Sequence, residues 1–432
     1  MIFLYFLIIL LIGIIQKKQS SSFEFLYASR KLTLTSFIAT IVTTWYGAIL
    51  DVGRYTYENG ILTWVIFCLF YYFSALVYGL FIGPKIHSKN ISSLPQFFID
   101  RLNVESSYIS SILIYLIGSP IPYIIIFSTI ISHVYEINYY YCVLIGVLTS
   151  NLYLFIGGFK SVVRTDKFQF ILMYLGFIIL LYNLYTSFGG YDFLINNVPK
   201  EHLSINLNEN LGLLITWFFI SFTIFVDPSI FQRSFSAKNP LNVRKGFIYS
   251  IIFWIIFDFM TITAGLYASA VIPIEELKSS PFLQLGSMVL PEYLNIIFII
   301  SLLAIVMSTI DSTTFISALT LNNLIDLIRS NNKTKFSLSL LCTSIFSIIM
   351  CYFFREAIGY WYIFGTITSS GILIPFIFLL FNDEMKIKRP ILTILTPIFL
   401  CCYFIIFSTI NPIYPGICSS VILCMLNAQK IN

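Results

Sequence analysis

A succession of thirteen apolar stretches, joined by short polar connections, constrains this chain more than any motif does. They cover 2–16, 36–57, 61–83, 106–133, 139–157, 166–187, 211–232, 245–271, 294–328, 336–354, 360–381, 391–410 and 413–428. Most are long enough to cross a hydrocarbon layer of roughly 30 Å as a helix. They are too continuous for barrel strands, which alternate apolar and polar residues over about ten positions. Hydrophobic residues make up 58% of the chain and charged residues 10%, with a mean hydropathy of +0.88. Such a composition describes an all-α polytopic membrane protein, here with thirteen transmembrane helices. The first stretch has the length of a signal peptide but no basic start and no small-residue cleavage site, so it reads as a retained helix.

Basic residues set the orientation. With the N-terminus outside, the cytoplasmic connections hold 21 of the 25 Lys and Arg, leaving only Arg54, Lys200, Lys278 and Arg355 outside. Lys17, Lys18, Arg329, Lys333 and Lys335 belong to the inside set, and the C-terminus is cytoplasmic. The net charge of +5 lies in these short loops and is no nucleic-acid signature. Eight cysteines lack metal spacing, and His87, His133 and His202 are the only histidines, so zinc and haem have no ligand set. No phosphate loop, dinucleotide fingerprint or nucleophile–base pair marks an enzyme.

Two stretches break the apolar pattern in comparable places. Residues 39–53 carry Thr40, Thr43, Thr44, Gly47 and Asp51; the stretch from Leu211 carries Trp217, Ser221 and Thr223 and ends at Asp227-Pro228. Each opens a block of five helices, 36–187 and 211–382, separated by an outside loop over 188–210. Five is odd, so the second block enters the membrane from the opposite side. This is the inverted-repeat arrangement, whose broken first helices expose carbonyls and helix ends near the midplane. Two kinked helices in an ordinary bundle are the alternative. Residues 1–35 add an N-terminal helix and loop, and 383–432 add two C-terminal helices.

The run Ala304-Ile-Val-Met-Ser-Thr-Ile-Asp-Ser312 sets hydroxyls and an acid inside a long apolar helix. The Ile305 carbonyl and the Ser308 and Thr309 hydroxyls share one face at i, i+3 and i+4. Neutral oxygens without nitrogen or sulfur suit a hard cation. Hydroxyls in membrane helices also bond the i−4 carbonyl or a neighbouring helix. Asp311 favours function, because buried acids are expensive in a bilayer.

Six ordered motifs then resemble the sodium:solute symporter family, over about Leu26 to Ile325. They are Tyr27-Ala-Ser-Arg-Lys-Leu, Tyr57-Glu-Asn-Gly60 and Ser93-Leu-Pro-Gln-Phe-Phe-Ile-Asp-Arg-Leu102. Gly157-Gly-Phe-Lys-Ser-Val-Val-Arg-Thr-Asp166-Lys-Phe-Gln169, Gln232-Arg-Ser-Phe-Ser-Ala-Lys238 and Ser308-Thr-Ile-Asp-Ser312 complete the set. The resemblance implies a LeuT-type 5+5 inverted-repeat fold and a sodium ion as the bound cofactor. Carried onto this sequence, its ligands are the Ser308 and Thr309 side chains and the carbonyls of Ile305, Ile41 and Thr44. A one-residue shift of register gives Thr40 and Thr43 instead of the last two. In some relatives an acid at Asp166 joins a second sodium site, here with Ser308, Asp311 and Ser312. Thr165 or Asp166 serving as a helix N-cap, paired with Arg164 or Lys167, is the competing account. Leu324 and Asp227 depart from the family, which commonly has an acid and a small residue there.

Trp45, Tyr46 and Gly47 at the first break, Trp217, Ser221 and Phe222 on the matching helix, and Thr366, Thr368 and Ser369 further on are candidates to face a small polar solute. Asp51, one turn from Arg54, reads as an ion pair; the role of Asp258 stays open. The expected protein is a secondary active transporter of the cell membrane. It couples sodium entry to uptake of a small polar solute, such as an amino acid or sugar acid, by alternating access, with no obligatory protein partner. Proton coupling through Asp166 or Asp311, or a non-transporting solute sensor, are the alternatives. The end of the chain at Asn432, with no output domain, speaks for transport.

Overall fold

A computed structural model describes residues 1–14, 21–328 and 336–430. The end of the first expected span, Lys17, Lys18, Arg329, Lys333 and Lys335 lie outside the described residues. Helices Ile2–Ile14 (α1), Leu34–Trp45 (α2), Ile49–Asn59 (α3), Leu62–Ser88 (α4), Val104–Ile117 (α5), Ile121–Tyr135 (α6) and Tyr139–Phe188 (α7) form the first part of the chain. Leu207–Ser221 (α8), Pro228–Ser236 (α9), Pro240–Val271 (α10), Glu292–Ile328 (α11), Phe336–Phe353 (α12), Ala357–Phe381 (α13), Pro390–Phe407 (α14) and Ile413–Leu426 (α15) follow. Among the described residues, eight helices are long and apolar enough to cross a membrane, and ten when each bent pair counts as one span.

The two interrupted stretches are those bent pairs. The axes of α2 and α3 differ by 57°, and those of the α8 segment and α9 by 45°. At the first break Tyr46, Gly47 and Ala48 leave the helix, and a Cβ on Gly47 would stand 2.2 Å from the Tyr123 ring and 2.8 Å from Thr309 Cβ. At the second, Phe222–Val226 tightens to a 3-10 turn and Asp227 turns extended (φ −73°, ψ 116°). Pro228 explains that turn, because its ring disfavours a helical residue ahead of it and its fixed φ suits the first helical position.

Helix α7 runs for 50 residues, about 75 Å at 1.5 Å per residue, more than twice a hydrocarbon layer. It is broken inside at Gly158, whose φ of 55° and ψ of −153° only glycine adopts freely. The expected 158–165 connection is therefore corrected: the chain turns on one glycine, and Lys160, Arg164 and Asp166 lie in the continuing helix. Two further expectations change. The 188–210 loop contains a helix, Tyr191–Asn197, and α8 begins at Leu207. The fold is also not purely helical, since Met385–Ile387 pairs antiparallel with Ala428–Lys430 beyond the end of α15.

Helix α11 is the axis of the molecule. Every residue from Phe298 to Thr320 is buried, and α7 is its principal neighbour along its length. The hydroxyls and acid of the 304–312 run therefore face protein on all sides instead of lipid.

Candidate functional site

A cavity of about 170 Å³ opens between the two breaks. Ile41, Thr44, Trp45 and Tyr46 bound it from α2 and the first break; Trp217, Ile220, Thr223 and Asp227 bound it from the second. Tyr71 of α4, Tyr123 of α6, Asp258 of α10 and Trp361 of α13 close the sides. Eight of its 25 lining residues are aromatic, and the helices that meet here bring rings together, as in the pairs Trp45–Tyr71 (centroids 5.1 Å apart) and Tyr123–Trp361 (5.5 Å).

Beside the cavity, α11 touches the end of α2. The Thr309 hydroxyl lies 3.1 Å from the Thr44 carbonyl oxygen and 3.2 Å from that of Ile305. One hydroxyl carries one proton, so it can donate to only one of these carbonyls at a time. Thr44 sits in the last turn of its helix, where no helical i+4 amide follows. Two carbonyls and a hydroxyl thus converge on one point, a set of neutral hard oxygens that fits sodium. Ile41 lies one turn earlier on the same wall. Ser308 faces elsewhere: its hydroxyl donates to Asp166 Oδ1 at 2.6 Å.

Asp166 is no helix cap. It is fully buried in the interior of α7, accepts from the Thr40 hydroxyl as well as Ser308, and lies 3.7 Å from the Arg233 guanidinium. Arg233, only 1% exposed, spans the site. It donates to Thr40 Oγ1 (3.0 Å), Thr44 Oγ1 (2.7 Å), Ser312 Oγ (2.6 Å) and the Ser229 carbonyl (3.1 Å). The proposed trio of Asp166, Asp311 and Ser312 does not face one point. Neighbouring positions on a helix project about 100° apart, so Ser312 turns to Arg233 while Asp311 accepts from the Tyr153 hydroxyl on α7.

Of the candidate solute residues, Trp45, Tyr46 and Trp217 reach the cavity wall. Gly47 instead packs against Tyr123 and Thr309. Ser221 bonds back to the Phe218 carbonyl, Thr366 to that of Tyr362, and Thr368 turns to the Leu113 carbonyl. Phe222 packs on Phe218, and Ser369 is buried at the start of a π-turn in α13. Backbone carbonyls take the Ser221, Thr366 and Thr368 hydroxyls before a solute can, whereas the buried Ser369 hydroxyl has no partner among the described residues. The Asp51–Arg54 pair is also corrected, since Arg54 pairs with Glu58 at 2.9 Å.

Sequence reasoning missed Asp227, Tyr71, Tyr123 and Trp361 as wall residues and counted Arg233 as a loop charge. An available signal was the position of Arg233 on α9, less than two turns past the Asp-Pro break and therefore still inside the membrane-spanning segment. Asp258, left open from sequence, lines the cavity and accepts from the Tyr72 hydroxyl.

The comparisons agree with this architecture. The sodium/pantothenate symporter of Haemophilus influenzae is 31% identical over 184 residues, which span 41% of this chain and 38% of that protein. The sodium/proline symporter 2 of Staphylococcus saprophyticus is 24% identical over 366 residues, or 78% of this chain and 70% of the relative. The solved structure of a Na+-coupled sialic acid symporter, substrate-bound and outward-open, superposes with a TM-score of 0.84 at 15% identity. That alignment covers 100% of this chain and 98% of the other, so the fold is shared. The family description itself matches residues 25–358, a range that holds both broken helices, the Gly158 turn and the α11 hydroxyls: the chain belongs to the sodium:solute symporter family, a family of transporters and not of enzymes.

Proposed function

We propose that the protein couples sodium entry to uptake of a small polar solute across the cell membrane by alternating access. The observation that carries this reading is the convergence of the Thr44 and Ile305 carbonyls on the Thr309 hydroxyl, across the break in the α2–α3 pair. These three oxygens, with the Ile41 carbonyl as a further candidate, hold the ion; the Ser308 hydroxyl joins them only by leaving Asp166. The solute occupies the adjoining aromatic cavity, as proline and pantothenate are the solutes named for the relatives.

Counting each bent pair, and α5 with α6, as one span, dividing α7 at Gly158 and adding α1 and α15 gives the thirteen-helix, LeuT-type arrangement, with the N-terminus outside and the C-terminus cytoplasmic. Blocks 36–187 and 211–382 are its inverted repeats. One charge crossing about 100 mV supplies about 2.3 kcal/mol, and a tenfold sodium gradient about 1.4 kcal/mol more. Together these sustain roughly 500-fold accumulation per sodium.

The test is Thr309→Ala in proteoliposomes. Alanine keeps the helix but removes the bridging oxygen, so the sodium concentration for half-maximal uptake rises about tenfold or more. Unchanged sodium dependence removes this residue from the site, and uptake driven by a proton gradient alone replaces sodium coupling with proton coupling.

A further inference from the structure

The charges around the solute cavity do not balance, and the imbalance selects the kind of solute. One basic and two acidic side chains line the wall: Arg233, Asp227 and Asp258. Arg233 is already committed, through its bonds to Thr40, Thr44, Ser312 and the Ser229 carbonyl and its closeness to Asp166. An anionic solute would have to pull it out of that network.

The two carboxylates are placed differently. Asp227 stands at the hinge of the second break and uses one oxygen, Oδ1, for its neighbours: the amides of Ser229 (2.8 Å) and Ile230 (3.0 Å) and the Ser229 hydroxyl (2.6 Å). Among the described residues its Oδ2 takes no hydrogen bond, and Asp227 is only partly buried, at the cavity wall. It is close enough to Tyr71, Tyr123 and Arg233 to act on all three electrostatically, though it makes no ion pair with Arg233 among the described residues. Those rings belong to the Trp45–Tyr71 and Tyr123–Trp361 pairs, which line the same cavity as Asp227. Asp258 adds a second carboxyl across the cavity, steadied by Tyr72. A carboxylate and aromatic rings lining one cavity are the chemistry that holds an organic ammonium group, through charge and cation–π attraction together.

Resting on the transport reading above, we infer that the solute carries a cationic nitrogen and that Asp227 is the group that binds it. Asp227 thus does two jobs at one hinge: Oδ1 caps α9, and Oδ2 holds the solute. Seating the cation joins the second break to the aromatic wall.

The experiment uses the full-length protein in proteoliposomes with sodium present, and reads binding from the fluorescence of the cavity tryptophans and from competition with uptake. The probes are choline, glycine betaine, ethanolamine, lysine and proline, set against the neutral tert-butyl isostere of choline, its carboxylate counterpart and glucose. At least one ammonium-bearing solute is expected to bind about tenfold or more tightly than its uncharged isostere. Asp227→Asn, which keeps the cap because Asn caps as well as Asp, is expected to abolish that preference. Asp258→Asn is expected to weaken it less. Equal or tighter sodium-dependent binding of solutes without a cationic nitrogen overturns the inference and leaves the sodium-coupled reading standing. An unchanged preference in Asp227→Asn overturns the role of that residue. No sodium-dependent binding by any probe overturns both.

Discussion

The two broken helices solve the same problem with different chemistry. The first break, Tyr46–Ala48, is uncharged and rests on a glycine whose missing side chain lets Tyr123 and Thr309 close in. What it offers is backbone: the Thr44 carbonyl beside the Thr309 hydroxyl. The second break is built on Asp227-Pro228 and offers charge, Asp227 at the hinge and Arg233 further along α9. Carbonyl dipoles suit a small inorganic cation that sheds its water, whereas a fixed carboxylate or guanidinium suits an organic group or a structural ion pair. On the function proposed above, such a pair of breaks would separate ion from solute while Thr44, which lines the cavity and also bonds Arg233, adjoins both.

The largest effect expected from this contrast is at Arg233. Arg233→Met leaves Asp166 buried without its partner, which costs about 3–5 kcal/mol. The thermal midpoint of the purified protein should drop accordingly, and Asp166→Asn in the same chain should restore part of it. A single variant melting like the parent would show that the second break does not depend on its charge.

Next comes the first break, where space is the constraint. Gly47→Ala drives a methyl into the Tyr123 ring and Thr309, with an expected loss of about 1–3 kcal/mol from overpacking. Sodium activation should weaken with it, since Thr309 must move. A fully active Gly47→Ala protein would mean that the close approach is dispensable.

Asp227→Asn should barely change stability, by a few tenths of a kcal/mol at most, because the cap survives the substitution. A drop in midpoint as large as that of Gly47→Ala would show that this carboxylate is structural first, and the contrast between the breaks would narrow.

The smallest effect is a control remote from both breaks. Lys89 pairs with the exposed carboxylate of Asp383 in the connection after α13, and that pairing, with Arg101 nearby, holds the Asp383 carboxyl below its usual range. Its contribution is present above the ordinary carboxylate value of about 3.9 and is lost as pH falls through the depressed folded value. Solvent screens such a pair, so Asp383→Asn should leave the midpoint almost unchanged near neutral pH. A clear destabilisation there would point to a latch between the α4–α5 and α13–α14 connections.

Apolar length and continuity on their own located the eight long apolar helices of the described residues and the two bent pairs, because a bilayer demands long helical runs wherever the chain crosses. Polarity also betrayed both breaks, since Thr-rich or Asp-Pro segments are costly in lipid-facing helices, and the motif from Gly157 to Gln169 marked the turn in α7. Local i, i+4 spacing was enough to join Thr309 with Ile305. Partners distant in sequence were another matter. Whether Asp166 capped a helix or met Ser308, 142 residues away, depended on how α7 packs along α11. The same packing turned Asp311 toward Tyr153 and brought Arg233 from an expected loop into the buried network. Serine and threonine hydroxyls such as Ser221 and Thr366 looked like solute ligands because composition cannot show that a carbonyl three or four residues back has already taken them. Which side chains face one cavity is a property of helix rotation and crossing, set by ridge-into-groove packing over the whole bundle, and so only the tertiary structure decided it.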